Sequence, residues 1–370
     1  MSIVRFSDVA CRANTKEDRF NTDKIYYVGG EHIESGELFV SNKGIIKGST
    51  IGPMFYCGFK AGQILFVTRN PHLKKCGIAE FDGICSEKTF VIETKDSDVL
   101  LQEYLALIMQ SNDFWDYCEE NKSGGVNYFL NWSTLADYEF DLPPLEEQKL
   151  LADKLWAAYR LKESYKKLLA ATEEMVKSQF IEMFKSTDYV QLNSLVTLSK
   201  SSIMPQNGSI YTLYSFPAYD NNQTPEIVDG REIKSSKIVL EENVVLFNKL
   251  NVRLSRVWNI HCLSTKNNIC SSEFLPLKVK NSSVISQSFL YRILCSDYVT
   301  KKMMDCSTGT SNSQKRITPS SLMNMNVPLP SIDEQQKFVA IANQADKSGF
   351  ELRKSIKLID KVIKTLINNV

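Results

Sequence analysis

The chain has 370 residues, which is long enough for two domains that each bury a hydrophobic core. Hydrophobic residues make up 43% and charged residues 24%, as in ordinary water-soluble globular proteins. No stretch approaches the roughly 18 uninterrupted apolar residues of a membrane span, and the N-terminus lacks the apolar core of a signal peptide, so we expect a cytoplasmic protein. The nine cysteines include no C-x-x-C pair, which favours reduced, buried thiols over zinc ligands or disulfides.

The net charge of +1 is unevenly distributed along the chain. Residues 1–142 have 14 Lys and Arg against 21 Asp and Glu, a balance of −7, whereas residues 187–330 have 15 against 10, a balance of +5. Each segment contains one window without a carboxylate, at 38–79 and at 243–272. The basic residues of these windows are Lys43, Lys47, Lys60, Arg69, Lys74 and Lys75, and then Lys249, Arg253, Arg256 and Lys266. Such windows are typical of a phosphate-facing surface, although chance clustering on a solvated face gives the same pattern.

Residues 1–142 are predicted to form a mixed α/β segment. Short β-rich runs such as 63–68 are separated by Gly, Asn and Pro, and one amphipathic helix is predicted near 99–119. Pro143 and Pro144 then form a hinge. A long helix begins near Leu145 and extends to residue 186, with Glu146 and Glu147 in its first turn, where carboxylates favour the helix dipole.

Residues 187–330 repeat this plan. A β-rich run at 243–247 and an amphipathic helix near 286–304 precede a second long helix over 331–370, where Ser331 and Glu334 fit a capping box. The clearest repeat aligns 135–148, LADYEFDLPPLEEQ, with 322–335, LMNMNVPLPSIDEQ, at an offset of 187 residues. Three weaker repeats have offsets of 185 or 186 residues. The chain is therefore predicted to be a tandem duplication.

The two long helices have apolar residues at alternating spacings of four and three, which predicts a coiled-coil seam. The seam residues are Leu352, Ile356, Ile359, Ile363, Leu366 and Val370 in the second helix, and Leu151, Leu155, Ala158, Tyr165, Leu169, Val176 and Met183 in the first. Polar interruptions in the first seam are Lys162, Thr172 and Gln179. Because one helix leaves the first segment and the other starts after the second, they are expected to be antiparallel, each roughly 60 Å long. The alternative is that each helix packs only on its own domain.

The predicted fold is therefore of the α+β class: two similar mixed α/β domains, related by an approximate two-fold axis, on an antiparallel two-helix coiled coil. The segment 142–148, LPPLEEQ, recurs as 329–335, LPSIDEQ, and a long helix follows each copy. This arrangement resembles the specificity subunits of type I restriction-modification systems, over essentially the whole chain. The resemblance implies target-recognition domains at 1–142 and 187–330, alternating with conserved helices at 143–186 and 331–370. Such a subunit reads a bipartite double-stranded DNA target, whose half-sites lie a fixed distance apart.

The resemblance also implies partners and cofactors. Two methyltransferase subunits would dock on the long helices and supply S-adenosylmethionine chemistry at adenine. ATP-dependent restriction subunits, which need magnesium, can also be recruited. The chain itself would be non-catalytic and bind no cofactor or metal, and the assembled complex would be an adenine-N6 DNA methyltransferase and a type I site-specific endonuclease.

Candidate DNA contacts come from loops and basic windows. Family members carry a polar loop before the proline hinge, which in the second half supplies Ser311, Asn312, Ser313, Gln314, Lys315 and Arg316. The first half has Lys122 and Asn127 there, followed by Tyr128, without a Gln-Lys-Arg counterpart. The other candidates, in the basic windows and after matched strands, are Lys43, Lys47, Arg69, Asn70, Lys74, Lys75, Lys249, Asn251, Arg253 and Arg256. For each of them an ordinary solvated loop is an equal alternative.

The sequence contains few motifs that are typical of catalysis. The sequence has no G-x-x-x-x-G-K-[ST] phosphate loop, no Asn-Pro-Pro-aromatic run, and three histidines without paired spacing. Asp82 with Glu93 and Lys95 loosely resembles the metal-binding D…E-x-K pattern of nucleases, but a solvated strand end is the simpler interpretation. The alternative function is a non-catalytic scaffold whose coiled coil bridges two adaptor domains without DNA specificity.

Overall fold

The computed structural model describes residues 2–240, 243–261, 267–309 and 315–367. The chain divides into two compact units. Unit 1 consists of Met1–Leu168 with Leu352–Val370, and unit 2 consists of Leu169–Glu351. Each unit therefore contains a part of each long helix. The domain boundaries predicted from the sequence stay a prediction.

Unit 1 contains ten strands within the described residues, together with short helices. The strands are β1 (Ser2–Arg5), β2 (Ala10–Arg12), β3 (Tyr26–Val28), β4 (Gly44–Ile45), β5 (Phe55–Phe59), β6 (Ile64–Val67), β7 (Cys76–Ile78), β8 (Gly83–Ser86), β9 (Thr89–Thr94) and β10 (Glu139–Leu142). The short helices are α1 (Phe6–Val9), α2 (Gln102–Ile108), α3 (Asn112–Glu120) and α4 (Trp132–Ala136). The first long helix, α5 (Leu145–Phe184), begins in this unit.

Unit 2 repeats this series. Its strands are β11 (Tyr189–Gln191), β12 (Val196–Leu198), β13 (Ser202–Ile203), β14 (Ile210–Tyr214), β15 (Glu226–Asp229), β16 (Lys237–Val239), β17 (Val244–Asn248), β18 (Val257–Ile260), β19 (Asn268–Ser271), β20 (Phe274–Val279) and β21 (Asn326–Pro328). Its helices are α6 (Leu192–Leu195), α7 (Phe216–Asp220), α8 (Gln287–Leu294), α9 (Asp297–Asp305) and α10 (Pro319–Met323), followed by the second long helix, α11 (Ile332–Ile367).

The sheets of the two units have matching topology, except that unit 2 has one additional edge strand, β13. Unit 1 has a β1-β10 ribbon, a sheet of order β2-β9-β6-β7 and a sheet of order β4-β3-β8-β5. Unit 2 has a β11-β21 ribbon, a sheet of order β12-β20-β17-β18 and a sheet of order β13-β16-β19-β14-β15. In the last sheet of each unit one pair, β3-β8 or β14-β19, is parallel. The predicted duplication and α+β class are thereby confirmed.

The strand β6 lies between two hydrophobic clusters because successive side chains of a strand point to opposite faces. Ile64 and Phe66 pack in the cluster that also contains residues of α2, α3 and α5, whereas Leu65 and Val67 pack against the second sheet. The strand β17 repeats this alternation in unit 2. A strand buried on both faces has a continuous apolar sequence, which is why 63–68 and 243–247 were recognisable as strands.

The amphipathic helix predicted near 99–119 is two helices, and so is its counterpart near 286–304. The side chain of Ser111 accepts a hydrogen bond from the Phe114 N–H at 3.2 Å, so that a new helix, α3, starts there. Ser296 does the same for α9, with the Val299 N–H at 3.3 Å. The prediction of one continuous helix was wrong because a serine N-cap can begin a new helix inside an unbroken apolar period.

The long helices pack on each other and on the domain cores. In unit 1, Leu155 of α5 and Ile363 of α11 are buried in the same cluster as the domain core. In unit 2 the Phe338 ring of α11 lies 5.4 Å from the Phe180 ring of α5, and both contact the cluster of that unit. The early part of one helix thus pairs with the late part of the other, as expected for antiparallel helices. Within the described ranges, no helix combines the length and apolarity needed to cross a bilayer.

Candidate DNA interface

Two backbone corners, one in each unit, have the same hydrogen-bond pattern. In corner 1 (68–70 with 128–130) the Asn70 N–H donates to the Tyr128 carbonyl at 2.9 Å, and the Thr68 carbonyl accepts from the Leu130 N–H at 2.9 Å. In corner 2 (249–251 with 315–317) the Asn251 N–H donates to the Lys315 carbonyl at 2.8 Å, and the Lys249 carbonyl accepts from the Ile317 N–H at 3.0 Å. The two corners therefore share one backbone frame.

An asparagine occupies the tightest point of each corner. Asn70 has φ of 53° and Asn251 has φ of 52°, in the left-handed region that asparagine tolerates better than most residues. The two asparagines, both candidates from the sequence, therefore occupy equivalent positions. The residues before the two asparagines differ. Arg69 precedes Asn70 and forms a β-bridge with Phe129, whereas Leu250 precedes Asn251 and forms a β-bridge with Arg316.

The side chains presented by the two corners differ in chemistry. Corner 1 has the aromatic residues Tyr128 and Phe129 where corner 2 has Lys315 and Arg316. The Arg316 guanidinium is exposed and forms an ion pair with Glu273 at 3.0 Å. The same frame therefore carries two half-buried aromatic side chains in one unit and two basic side chains at the matching positions in the other.

The polar loop of unit 1 is a short hairpin held against corner 1. Lys122 pairs with Glu119, and its ammonium lies 4.5 Å from the centre of the Tyr128 ring. Gly124 has φ of 100°, and a Cβ there would lie 2.7 Å from the Asn127 carbonyl oxygen, so this turn requires glycine. Asn127 is exposed at the turn. The candidates of the matching loop in unit 2, Ser311, Asn312, Ser313 and Gln314, lie outside the described residues.

Several basic candidates are held by other groups of the chain. Arg256 forms two hydrogen bonds of 2.8 Å with Asp220, which raise the pKa of the guanidinium and lower that of the carboxyl. Lys75 donates to the Gly30 carbonyl. Lys43 lies 3.9 Å from the Tyr26 ring and 4.1 Å from the Phe81 ring.

The remaining candidates lie at turns and on the exposed surface. Lys74, with φ of 48°, ends the 3-10 turn Pro71–Leu73, which starts at Asn70. Lys47 and Arg253 are exposed. The structure thus brings Arg69, Asn70, Lys122 and Asn127 together at corner 1, and Lys249, Asn251, Lys315 and Arg316 together at corner 2.

Asn248 is a positioning residue that the sequence pattern did not single out. Its fully buried amide donates to the carbonyls of Leu250, Asn251 and Leu254, and its oxygen accepts from the Arg256 N–H at 3.1 Å. One side chain thereby organises the loop after β17. Its position at the end of an apolar strand was a usable signal, since a buried amide there must find backbone partners.

A basic, partly aromatic cleft near the start of unit 1 also could not be recognised from the sequence pattern. Arg12, Lys95 and Trp132 line a cavity of about 340 Å³ together with Ser7, Ala10, Cys11 and Asn14. The Arg12 guanidinium lies 4.6 Å from the Phe90 ring. Lys95 itself is structural, because its ammonium donates to the Ser7 carbonyl at 2.6 Å, and Lys280 donates in the same way to the Asn193 carbonyl at 2.7 Å.

The glutamine of the repeated motif fastens the proline hinge to the domain. The fully buried Gln148 accepts from the Leu101 N–H at 3.0 Å and donates to the carbonyls of Val99 and Pro143 at 3.0 and 2.9 Å. Gln335 makes the same three bonds in unit 2, with Ser286, Val284 and Pro330. The motif therefore has a structural role: it attaches each long helix to the loop before α2 or α8.

The candidate nuclease triplet is occupied by structural bonds. Asp82 pairs with Lys24 at 3.1 Å, and Glu93 accepts from the Gln63 amide at 2.6 Å. Lys95 is held by Ser7, as described above. No group of three or more His, Cys, Asp or Glu that could bind a metal occurs among the residues that the structure describes.

The sequence matches a known protein family in two consecutive segments. The family described as the type I restriction modification DNA specificity domain matches residues 4–174 and, a second time, residues 185–361. The chain belongs to this family. The resemblance drawn from the repeated LPPLEEQ and LPSIDEQ motif is thus confirmed, and the reading as an unrelated coiled-coil scaffold is not favoured.

Three relatives illustrate how far the sequence can differ while the family is the same. The specificity subunit of the type I restriction enzyme EcoDI from Escherichia coli is 29% identical over 147 residues, which are 40% of this chain and 32% of that protein. The match therefore spans about a third of that relative's length. The crystal structure of a type I restriction-modification S subunit from M. genitalium has a TM-score of 0.62 at 13% identity, with 99% of this chain and 95% of that chain covered.

A second solved structure comes from a study of complex assembly and conformational transition of the type I R-M system. Its chain has a TM-score of 0.53 at 18% identity, and the match covers 99% of this chain and 96% of that chain. At these identities both likenesses establish the fold of the specificity family for this chain.

Proposed function

We propose that this chain is the sequence-reading subunit of a type I restriction-modification complex, and that its two units each read one half of a bipartite duplex DNA target. The observation that carries the proposal is the pair of corners. They share a backbone frame but present Tyr128 and Phe129 in unit 1 against Lys315 and Arg316 in unit 2. A common frame with different side chains suits the reading of two unlike half-sites.

The chemistry of the corners suits duplex DNA. Arginine forms paired hydrogen bonds with guanine in the major groove, and asparagine with adenine. Exposed lysines such as Lys47 suit phosphate contacts, which set orientation rather than sequence. The aromatic side chains of corner 1 suit apolar contact with a thymine methyl group or with a distorted base step.

Family membership supports a proposal about partners and cofactors. Two methyltransferase subunits, which use S-adenosylmethionine at adenine, are proposed to bind the long helices. Restriction subunits that use ATP and magnesium are proposed as further partners. In this scheme the chain contributes recognition, and the assembled complex carries out methylation and cleavage.

The test uses the chain purified with its host's methyltransferase subunits. Duplexes selected from a random pool by this complex should contain two short, unlike half-sites around a fixed gap. Arg316→Ala should then lower the preference for one half-site by about 10- to 100-fold, since a paired arginine–base contact contributes about 1–3 kcal/mol of discrimination. The other half-site should be unaffected.

The control is Lys301→Ala, which removes an exposed charge of α9 in the same unit and should leave both half-sites unchanged. Two results would count against the proposal. One is a complex that selects no sequence from the pool. The other is an Arg316→Ala complex that loses affinity for all duplexes equally, as expected for phosphate contacts alone.

A further inference from the structure

Lys162 is a buried ammonium in the seam of the long helices. Its side chain is 8% exposed, at a seam position where the alternating spacing calls for an apolar residue. Burying a lysine there removes its hydration and is unfavourable unless charged partners compensate. The residue therefore requires a specific explanation.

Three carboxylate oxygens supply that compensation. The Lys162 ammonium lies 2.9 and 3.1 Å from the two oxygens of Glu37 and 2.9 Å from Asp360. One turn later Lys166 also pairs with Glu37, at 3.0 Å, and with Glu163 at 3.0 Å. These five residues form what we call the Lys162 cluster, in which the three N–H donors of Lys162 face three acceptor oxygens.

The Lys162 cluster joins three separate elements of unit 1. Glu37 belongs to the segment between β3 and β4, Lys162 to α5, and Asp360 to α11. The neighbouring Phe39 extends the contact, with its ring 5.1 Å from the Trp156 ring of α5. The segment around Glu37 therefore docks on one face of α5, through an aromatic contact and an ionic one.

Lys162 itself is not part of the duplicated scaffold. At the offset of 187 residues that relates the two motifs, the residue equivalent to Lys162 is Gly349, which has no side chain. The hinge glutamines, in contrast, occur in both units. A buried ammonium whose equivalent position holds a glycine, and which joins three elements, points to a role in placing that unit.

We infer that Lys162 is a positioning residue that sets the register of the unit 1 recognition domain on the helix pair, and hence the spacing at which the two half-sites are read. This inference rests on the proposed function. A buried polar residue at a seam position fixes register because any other register leaves it without partners. If the helices slid or rotated relative to the domain, the ammonium would leave Glu37 or Asp360, or both.

The test compares spacings rather than overall affinity. The full chain with its methyltransferase subunits is offered duplexes in which the two half-sites are kept and the gap is lengthened or shortened by one base pair. The wild type should accept one gap. Lys162→Met, whose side chain fits an apolar seam, should keep both half-site preferences but lower the discrimination between gaps by about tenfold, a typical size for coupling between sites.

Three further variants make the result decisive. Lys162→Arg keeps the charge and should still accept only the wild-type gap length. Lys167→Met changes an exposed lysine on the same helix and should not alter the accepted gap length. The triple variant Lys162→Met, Glu37→Gln, Asp360→Asn removes the orphaned carboxylates and provides a folded form if the single variant is unstable. This triple variant should show the same reduced discrimination between gap lengths.

The outcomes separate this inference from the proposed function. If the folded variants accept only the wild-type gap, the inference is overturned while the proposed function stands. A uniform loss of affinity at all gaps would also overturn it, since that is what a merely stabilising contact produces. If the wild type selects no split target, the proposed function itself fails.

Discussion

Replacing Gln148 by leucine should destabilise unit 1 through lost hydrogen bonds alone, because leucine fills nearly the same volume. The side chain is fully buried, and the substitution leaves the Leu101 N–H and the carbonyls of Val99 and Pro143 without their partner. At about 1 kcal/mol for each bond, the loss is about 3 kcal/mol. For a unit of this size that corresponds to a fall in melting temperature of roughly 6–12 °C.

Hydrogen exchange measures this loss at the bond itself. The Leu101 amide, which donates to Gln148 in the wild type, should exchange much faster in Gln148→Leu, and urea unfolding should report the free energy. The exposed neighbour Lys149→Gln is the control and should change the free energy of unfolding by less than about 0.5 kcal/mol. If Gln148→Leu unfolds like the wild type, the hinge attachment described here is wrong.

Three further predictions concern other sites. Phe338→Ala should cost unit 2 about 3–5 kcal/mol, measured by urea unfolding, because the buried ring contacts aromatic rings of α5 and α8. The Cys57 thiol should react with iodoacetamide increasingly as the pH rises through about 7, since a hydrogen bond from Cys85 and the nearby Arg12 lower its pKa to about 7; a midpoint near 9 would contradict this. Gly124→Ala should destabilise the hairpin beside corner 1 by about 1–2 kcal/mol and speed trypsin cleavage there, because alanine is strained at this φ; unchanged cleavage would contradict the geometry.

The long helices and central strands were predictable because local patterns determine them. The apolar runs before Thr68 and Lys249 are strands in the structure, and α5 starts at Leu145, as the paired prolines and first-turn glutamates indicated. The capping box at Ser331 is present, with its N–H donating to Glu334 at 2.9 Å. In each case the deciding residues lie within a few positions of one another.

Features that depend on distant partners were not predictable in the same way. Lys162 looked like a poor seam residue, since Glu37 and Asp360 lie far from it in sequence. Arg256 looked free for DNA, although Asp220 holds it through two hydrogen bonds. Long-range pairing of charges leaves no periodic signal in one sequence, so the structure was needed to find both.

Where the candidate residues lie in the fold could be predicted only in part, and their role in DNA binding stays a prediction. Asn70 and Asn251 were candidates because each follows an apolar strand, and the hydrogen bonds show that they occupy equivalent positions. The frame is closed by Tyr128 in one unit and by Lys315 in the other, and only the hydrogen bonds reveal that correspondence.

Mapping adenine methylation in cells tests the central claim most directly. The chain is co-expressed with the methyltransferase encoded beside it, and the genome is read by long-read sequencing. We expect one split motif of two short, unlike half-sites around a fixed gap. Exchanging residues 187–330 for those of another specificity subunit should change one half-site only. A complex that forms but leaves no split motif, or an exchange that alters both half-sites, would contradict it.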